Sequence, residues 1–368
     1  MRFFPLLRAT LLLTLAAFGL IAAPAEPAPS SRVTFPAAAQ PRLALAGADR
    51  VFLAYGHGTD VFVARSDDRG ATFAPPVKVA TVPGLMIGMR RGPRLVARGD
   101  TVSVTLNQKN LLAFTSTDAG RTWSGPVTVN DVPDSAREGL HDLALSPHGR
   151  TFLTWLDMRL GKMALAAAES LDGGRTWTRN EVIYRSPEIS ICECCHPSAT
   201  FDAAGSLAVM WRNSLGGSRD LWLMTRPAGA SSFSTPTKQG EGTWQLKGCP
   251  MDGGQILALG VGDFATVWQR DGHIYLASPG STEVHLGSGK QPAAAPLAAG
   301  TLLVWQRGPD LYSTRLAPPH NPAAPALLAA GGRFPVLLPL TGNRGTLLAY
   351  EQGPAKGAVS VVVEAIAP

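Results

Sequence analysis

Short, almost wholly apolar segments recur along this chain, and most of them end in an aromatic residue. They occupy residues 51–55, 152–155, 207–211, 264–268, 302–305 and 347–350. Segments of this length, bounded by glycine-containing or polar turns, are typical of β-strands and too short for helices. With 39 glycines, 30 prolines and hardly any helical periodicity, the pattern predicts an all-β protein of many short strands.

A second pattern precedes these segments. An x-Pro dipeptide stands before a short apolar stretch at residues 40–41, 92–93, 196–197, 249–250, 291–292 and 334–335, and Leu140-His141 takes the matching place in the third repeat. Proline at the first residue of a strand removes no ladder hydrogen bond, so these dipeptides mark strand starts. The seven marks lie about 42 to 55 residues apart, which is the length of a four-stranded propeller blade.

An eight-residue motif, Ser-x-Asp-x-Gly-x-Thr-Trp/Phe, occurs at residues 66–73, 116–123 and 170–177. In a tight turn the carboxylate accepts backbone N–H groups, the glycine adopts a positive φ, and the aromatic ring packs beneath the turn. We therefore expect a structural role for the residues at these positions: Asp68, Gly70, Asp118, Gly120, Trp123, Asp172, Gly174 and Trp177.

This motif resembles the Asp-box, the bacterial neuraminidase repeat of sialidase-type β-propellers. The resemblance implies one propeller domain over residues 32–368, built of four-stranded antiparallel blades. The seven marks predict seven blades, with six, the number in sialidases, as the alternative. The last repeat has room for only three strands, so we expect residues 32–35 to supply its outer strand. Such closure removes an exposed sheet edge.

Sialidase activity, which the resemblance raises, requires three arginines that hold a carboxylate, a tyrosine activated by a glutamate, and an acid/base aspartate. Arg91 in Arg91-Gly92-Pro93 is the nearest match to the family's first arginine. Asp157 and Arg159 are weaker candidates, and we expect them to pair and brace a loop at a blade end. Further arginines that can face the hub are Arg42, Arg90 and Arg94.

The tyrosines, in contrast, have the pattern of core residues. Tyr350 and Glu351 are adjacent, so their side chains point to opposite faces of a strand. For His141 and Asp142, at the start of an inner strand, we favour local hydrogen bonding over catalysis. We therefore predict a binding or assembly protein with a small-molecule, glycan or protein ligand at the central channel. An exo-sialidase or related glycoside hydrolase is the alternative.

All four cysteines stand at two successive strand-start marks. Residues 192–197 read Cys-Glu-Cys-Cys-His-Pro, and residues 249–251 read Cys-Pro-Met. Because inner strands line the channel of a propeller, we expect these side chains to meet at its mouth. The candidate ligand set is Cys192, Cys194, Cys195, His196, Cys249 and Met251.

Three chemistries are compatible with this set. An exported chain with an even number of cysteines favours disulfides, for example from Cys194 or Cys195 to Cys249. A thiolate and thioether set instead selects Cu(I) or another thiophilic ion. The residues Cys192 to His196 also spell C-x-x-C-H, the attachment sequence of c-type haem, but the extra cysteine and the following Pro197 disfavour haem.

Residues 1–25 have the pattern of an export signal. Arg2 and Arg8 supply a positive region before the apolar run of residues 9–23, and Ala23-Pro24-Ala25 is a cleavage sequence. Residues 26–31 then form an Ala/Pro-rich tether. We expect a periplasmic or secreted protein without an integral membrane segment once the signal is removed. Losing Arg2 and Arg8 lowers the net charge from +6 to about +4, and no basic run indicates a nucleic-acid partner.

Overall fold

The computed structural model of this protein describes Met1 and residues 31–317, 321–354 and 357–367. Their strands form seven antiparallel sheets, six of four strands and one of five. The inner strands of successive sheets contact one another in turn, and the last contacts the first. The chain is thus a seven-bladed β-propeller, as predicted, and the six-bladed alternative is wrong.

The blades are numbered here in chain order, each from the channel outward. The inner strands are Ala39–Ala46, Arg94–Arg98, His141–Leu145, Ser198–Phe201, Gly254–Gly260, Lys290–Leu297 and Gly332–Pro339. The second strands are Arg50–His57, Thr101–Asn107, Thr151–Asp157, Leu207–Arg212, Asp263–Arg270, Gly300–Arg307 and Thr346–Gln352.

The third strands are Asp60–Ser66, Leu111–Ser116, Ala164–Ser170, Leu221–Arg226, His273–Ala277, Asp310–Ala317 and Ser360–Ile366. The outer strands of blades one to five are Val77–Thr81, Ser124–Thr128, Glu181–Tyr184, Thr237–Lys238 and Val284–Ser288. Blade six has two short outer pieces, Asn321–Pro322 and Ala326–Ala329, and blade seven uses Arg32–Phe35. A 3-10 turn spans Thr341–Asn343, and the described residues include no helix long and apolar enough to cross a membrane.

The core consists of seven apolar clusters, each between two neighbouring blades. Both faces of every sheet are therefore covered. In blade one, Phe52 and Ala54 face blade two, whereas Val51, Leu53 and Tyr55 face blade seven. This arrangement explains why the second strands are continuously apolar in sequence, since a strand buried on both faces has no polar side.

The N-terminal strand closes the ring. Arg32–Phe35 pairs antiparallel with the third strand of blade seven, with Arg32 opposite Glu364 and Phe35 opposite Val361. Phe35 is buried and packs edge-on against Phe73 of blade one. The predicted outer strand is therefore confirmed. Apart from Met1 and Ser31, the predicted signal of residues 1–25 and the tether of residues 26–31 lie outside the described residues.

Each Asp-box forms the turn between the third and outer strands of blades one to three. In every copy the Ser Oγ accepts a hydrogen bond from the Gly N–H at 2.8 Å, and the Asp carboxylate accepts the Thr N–H at 2.9 Å. The box glycines have φ of 84°, 81° and 90°. A Cβ on Gly70 would lie 2.6 Å from Leu347 of blade seven, so the turn also joins adjacent blades.

One strand-start mark is misplaced in the sequence interpretation. Gln40, Gln291 and Phe334 precede their prolines with φ of 55°, 54° and 51°. In blade five the residue in this left-handed conformation is Met251, with φ of 53°. The proline after Cys249 stands in the loop before Gly254–Gly260, so the true equivalent of the mark lies two residues later.

Candidate functional site

Three cysteines lie together in the segment that leads into the inner strand of blade four. The Sγ of Cys192 lies 3.7 Å from that of Cys194 and 3.6 Å from that of Cys195, and the three sulfur atoms are within 4.8 Å of one another. The Cys192 N–H donates to the carbonyl of Arg212 at 3.0 Å, which fixes the segment on blade four. These separations exceed the S–S distance of about 2.05 Å in a disulfide, and all four thiols of the chain are free.

Apolar surroundings close this group from solvent. Cys192, Cys194 and Cys195 are 4%, 8% and 1% exposed, respectively. Met251, in the loop before blade five, packs against them. The left-handed backbone at Met251 places it there. We call these four residues the sulfur cluster; it consists of three converging thiols and a methionine side chain packed against them.

Cys249 and His196, which the sequence interpretation placed in the same set, lie outside the sulfur cluster. Cys249 is exposed, because it stands two residues before the backbone turn that brings Met251 inward. It lines a separate cavity of about 400 Å³ together with Cys192. His196 lines the central channel instead.

Charge within the sulfur cluster concentrates on Cys195. Burial raises the pKa of the Cys195 thiol, but hydrogen bonds from the Cys192 and Cys194 thiols and the nearby Arg212 guanidinium outweigh it and hold this pKa well below its usual value. The hydrogen bond with Cys194 lowers the pKa of the Cys192 thiol. Cys195 and burial outweigh this effect and raise that pKa to about 12. Cys195 is thus the most readily deprotonated of these thiols, and a metal ion would displace thiol protons when it binds.

The c-type haem reading does not fit this geometry. In a c-type haem, Cys192 and Cys195 would each be bonded through sulfur to the porphyrin. Here their sulfur atoms instead contact each other at 3.6 Å in a buried group. His196 is turned toward the arginines of the channel. The residues therefore present a compact soft-donor pocket and no space for a macrocycle.

A cavity of about 200 Å³ marks the central channel, and residues of all seven inner strands line it. Its charged lining groups are Arg42, Arg90, Arg94 and Asp142. Asp142 lies 3.2 Å from Arg94 Nε. Burial, followed by these arginines, holds the pKa of His196 well below its usual value. The channel therefore carries excess positive charge, with three guanidinium groups facing one carboxylate.

Arg90 is held in the channel by contacts to blades six and seven. Its Nε donates to Gln291 Oε1 at 2.7 Å, and its terminal nitrogens donate to the carbonyls of Pro335 and Gln291 at 3.2 and 3.3 Å. Burial and the neighbouring Arg42 lower the pKa of Arg90 to about 10. The guanidinium therefore stays protonated at neutral pH.

Arg91, the nearest match to the family's first arginine, does not line the channel cavity. Its Nε donates to the carbonyl of Glu138 at 2.5 Å. Met89 and Arg90 adopt φ of 49° and 66°, and this turn directs Arg90 inward and Arg91 toward the loop before blade three. The spacing of residues in the sequence does not predict such a turn.

Asp157 and Arg159 form a structural brace at the end of blade three. Asp157 is fully buried and accepts hydrogen bonds from Trp155 Nε1 at 2.6 Å and Ser135 Oγ at 2.9 Å. Arg159 Nε donates to Asp157 at 2.9 Å, and its Nη1 lies 3.0 Å from Asp131. Neither residue lines the channel cavity.

No tyrosine is among the described residues that line the channel cavity. Tyr55 stacks on Phe62, and Tyr350 is fully buried in the core between blades six and seven. Glu351 accepts hydrogen bonds from the backbone and side chain of Gln40 at 2.9 and 2.8 Å. The described residues therefore bring no tyrosine–glutamate pair to the three arginines.

Two residues that the sequence analysis missed join the sulfur cluster to the channel. Gln291 Nε2 donates to the Met251 carbonyl at 2.9 Å, while Gln291 Oε1 holds Arg90. The Gln291 N–H donates to Asp252 Oδ2 at 2.6 Å, and burial raises the pKa of Asp252 to about 7. Gln291 belongs to the Gln-Pro dipeptide at the beginning of the inner strand of blade six. This dipeptide was noticed in the sequence, but it was interpreted only as the start of a strand.

Several solved structures resemble this protein in fold. No family model and no curated protein matches the sequence. Among solved structures, YCF48, solved with a bound D1 peptide, has a TM-score of 0.56 and 12% identity, over 92% of this chain and 96% of that one. The chain therefore shares the β-propeller fold of YCF48.

Two sialidases are also similar, at lower scores. The leech intramolecular trans-sialidase shares 14% identity over 90% of this chain and 68% of its own, with a TM-score of 0.47. The K499G mutant of NanB sialidase from Streptococcus pneumoniae shares 12% identity over 89% and 68%, with a TM-score of 0.48. These two likenesses indicate nothing about activity, because unrelated functions occur on one fold.

Proposed function

We propose that this protein is an exported binding or assembly propeller that holds a thiophilic metal ion, Cu(I) first of all, in its sulfur cluster. The observation that carries the proposal is the convergence of three buried thiols within 4.8 Å, with Met251 packed against them. All three cysteines come from a single short turn, so the set needs no large rearrangement to coordinate one ion.

The chemistry of the donors favours Cu(I) over the common alternatives. Thiolate and thioether sulfur select soft ions, whereas Mg²⁺ and Ca²⁺ require oxygen. Structural zinc sites take their cysteines two to four residues apart and use thiolate or imidazole as the fourth ligand. Here adjacent Cys194 and Cys195 share the group with a thioether, and His196 is turned away toward the channel.

A binding role for the propeller itself is supported by its channel. Arg42, Arg90 and Arg94 give the cavity an excess of positive charge, which favours an acidic group of a small-molecule, glycan or protein ligand. The similar propeller YCF48 was solved with a bound D1 peptide. Because Gln291 touches both the Met251 carbonyl and Arg90, the metal and the ligand would occupy adjoining sites.

Metal loading tests the proposal directly. Protein purified from the periplasm and reduced without added metal is offered Cu(I) or Zn²⁺ anaerobically, and bound metal is measured after desalting. We expect stoichiometric Cu(I) that competes against a chromogenic chelator, and loss of this binding in Cys192→Ser and Cys195→Ser. Met251→Leu, which keeps volume and apolarity, should bind more weakly. Wild-type protein that retains no Cu(I), or that prefers Zn²⁺, would overturn the assignment.

Glycoside hydrolysis is not part of the proposal, since the described lining of the channel offers three arginines without a tyrosine nucleophile. We expect no appreciable turnover of a fluorogenic sialic-acid glycoside. Turnover that disappears in Arg94→Ala, with the fold intact by circular dichroism, would establish the hydrolase alternative instead.

A further inference from the structure

The sulfur cluster is buried, yet one side of it borders an open cavity. This cavity, of about 400 Å³, is lined by ten described residues, and its only two thiols are those of Cys192 and Cys249. Neither Cys194, Cys195 nor Met251 lines it. Cys192 therefore belongs both to the metal-binding group and to the wall of the cavity.

The two thiols of the cavity differ in exposure. Cys192 is 4% exposed and is tied to blade four through the Arg212 carbonyl. Cys249 is exposed, in the loop before blade five. That loop is held on either side of Cys249, because the Arg219 N–H donates to the Trp244 carbonyl at 2.8 Å and Gln291 donates to the Met251 carbonyl at 2.9 Å. The exposed thiol is thus kept beside the cavity.

We propose that this cavity is the route by which the metal ion exchanges with the sulfur cluster, and that Cys249 is its transfer ligand. The inference rests on the proposed metal binding and assigns Cys249 a kinetic role within it. The sulfur cluster already brings three thiols within 4.8 Å of one another, with Met251 packed against them. A fifth sulfur at the surface is therefore not needed to hold the ion, but it offers a first soft ligand to an ion arriving from solvent or from a donor thiol.

The transfer is a sequence of ligand exchanges in which copper remains Cu(I). A bond from copper to Cys249 Sγ forms as a bond to the donor ligand breaks, and the Cys249 thiol proton passes to water. The Cys192 thiol then loses its proton and binds copper while the Cys249 bond breaks, and Cys249 takes up a proton again. Cys194 and Cys195 would then bind the ion as thiolates while any thiol protons they carry pass to water, and Met251 would offer its thioether as a further ligand. No electron is gained or lost.

Transfer kinetics test this role separately from binding. Protein is mixed anaerobically with the Cu(I)–bicinchoninate complex, and loss of its colour is followed by stopped flow to completion. We expect Cys249→Ser to reach the same final metal content as wild type, with transfer slower by roughly tenfold or more, because a hydroxyl is a much poorer ligand for a soft ion than a thiol. Cys249→Met keeps a soft sulfur and should restore most of the rate.

Ile189→Ala is the matched control, because Ile189 lines the same cavity, is exposed and carries no metal ligand. Its transfer rate should equal that of wild type or exceed it. Equal rates in wild type and Cys249→Ser would overturn the transfer role, as would a Cys249→Ser protein that loses its metal at equilibrium, since Cys249 would then be a resident ligand. Failure of wild type to bind Cu(I) would instead refute the metal site itself.

Thiol labelling gives an independent check on the native protein. Iodoacetamide should modify Cys249 alone in the folded, metal-free chain and the remaining thiols only after unfolding, as read by peptide mass spectrometry. The labelled protein should then load Cu(I) as slowly as Cys249→Ser does. Labelled protein that loads at the wild-type rate would contradict the proposed route.

Discussion

Gln291 Nε2 donates a hydrogen bond to the Met251 carbonyl across 2.9 Å. Through this contact a residue of blade six fixes the loop that carries the thioether of the sulfur cluster, while the other end of the same amide holds Arg90 in the channel. The metal-binding group and the charged channel therefore share one positioning side chain.

Replacing Gln291 by Leu should weaken metal binding without opening the ring. Met251 would lose the bond that orients its backbone, and Arg90 would lose an acceptor. We expect Cu(I) affinity to fall roughly tenfold or more, the size typical of residues that orient ligands, as measured by competition with a chromogenic chelator.

Gln255→Leu is the matched control for this change. Gln255 makes two hydrogen bonds to Ala294 between the same two blades, at 2.9 and 3.0 Å, but does not contact the sulfur cluster. Its copper affinity should stay at the wild-type value even if the melting temperature falls. Equal affinity losses in both variants would show that Gln291 acts only by supporting the blades.

Asp172→Ala should destabilise the Asp-box turn of blade three. The variant loses acceptors for the Arg175 and Thr176 N–H groups. We expect a loss of about 1 kcal/mol, since each of these two solvent-exposed hydrogen bonds contributes about 0.5 kcal/mol, the low end of the net range. Urea unfolding measures it. Asp172→Asn, which keeps one acceptor oxygen, should lose less.

The same comparison has a defined pH dependence. Burial raises the pKa of Asp172, but hydrogen bonds from Thr176 and Ser170 outweigh it and lower the pKa to about 2, from 3.8. A lowered carboxyl pKa contributes stability above the unfolded value, which is lost as pH falls through the folded one. The difference between wild type and Asp172→Ala should therefore be constant above about pH 5 and shrink toward pH 2. A difference that grows on acidification would contradict the turn chemistry.

Removing Arg32–Phe35 should open the ring. Phe35 is buried, and burial of such a ring alone contributes about 1.5–3 kcal/mol; the deletion also exposes the edge of the third strand of blade seven. We expect a large fall in melting temperature and concentration-dependent aggregation by light scattering. A deletion of equal length within residues 26–30 is the control and should change neither.

His141 should make the protein less stable as pH falls below neutrality. It is fully buried, its Nδ1 faces the Gly139 carbonyl at 3.3 Å and its Nε2 faces Thr105 Oγ1 at 3.1 Å. Burial, followed by Arg94, lowers its pKa to about 3 from 6.5. Between these values only the unfolded chain binds the proton, so the free energy of unfolding drops as pH decreases from 6.5 toward 3.

His141→Asn should reduce this slope in urea titrations across the same pH range, whereas substitution of the exposed His57 should leave it unchanged. An imidazole of His141 that titrates near pH 6.5 by NMR would contradict the buried neutral state.

The amino-acid sequence by itself predicted the propeller, favoured seven blades over six and predicted the closing strand. These follow from short-range rules, because a turn that needs Asp, Gly and Thr, or a strand covered on both faces, leaves its pattern within a few residues. The Asp-box at 116–123 and the apolar strand at 51–55 are examples. Repetition of the same unit then fixes the architecture.

Only the tertiary structure decided which side chains meet. Met251 and not Cys249 joins the three cysteines, and Arg90 and not Arg91 enters the channel, because left-handed backbone turns at Met251 and Arg90 redirect the chain by one or two residues. The partners of these residues come from loops and blades far away in sequence. Their convergence depends on the path that each loop takes between blades. A local pattern of polar and apolar residues does not predict that path.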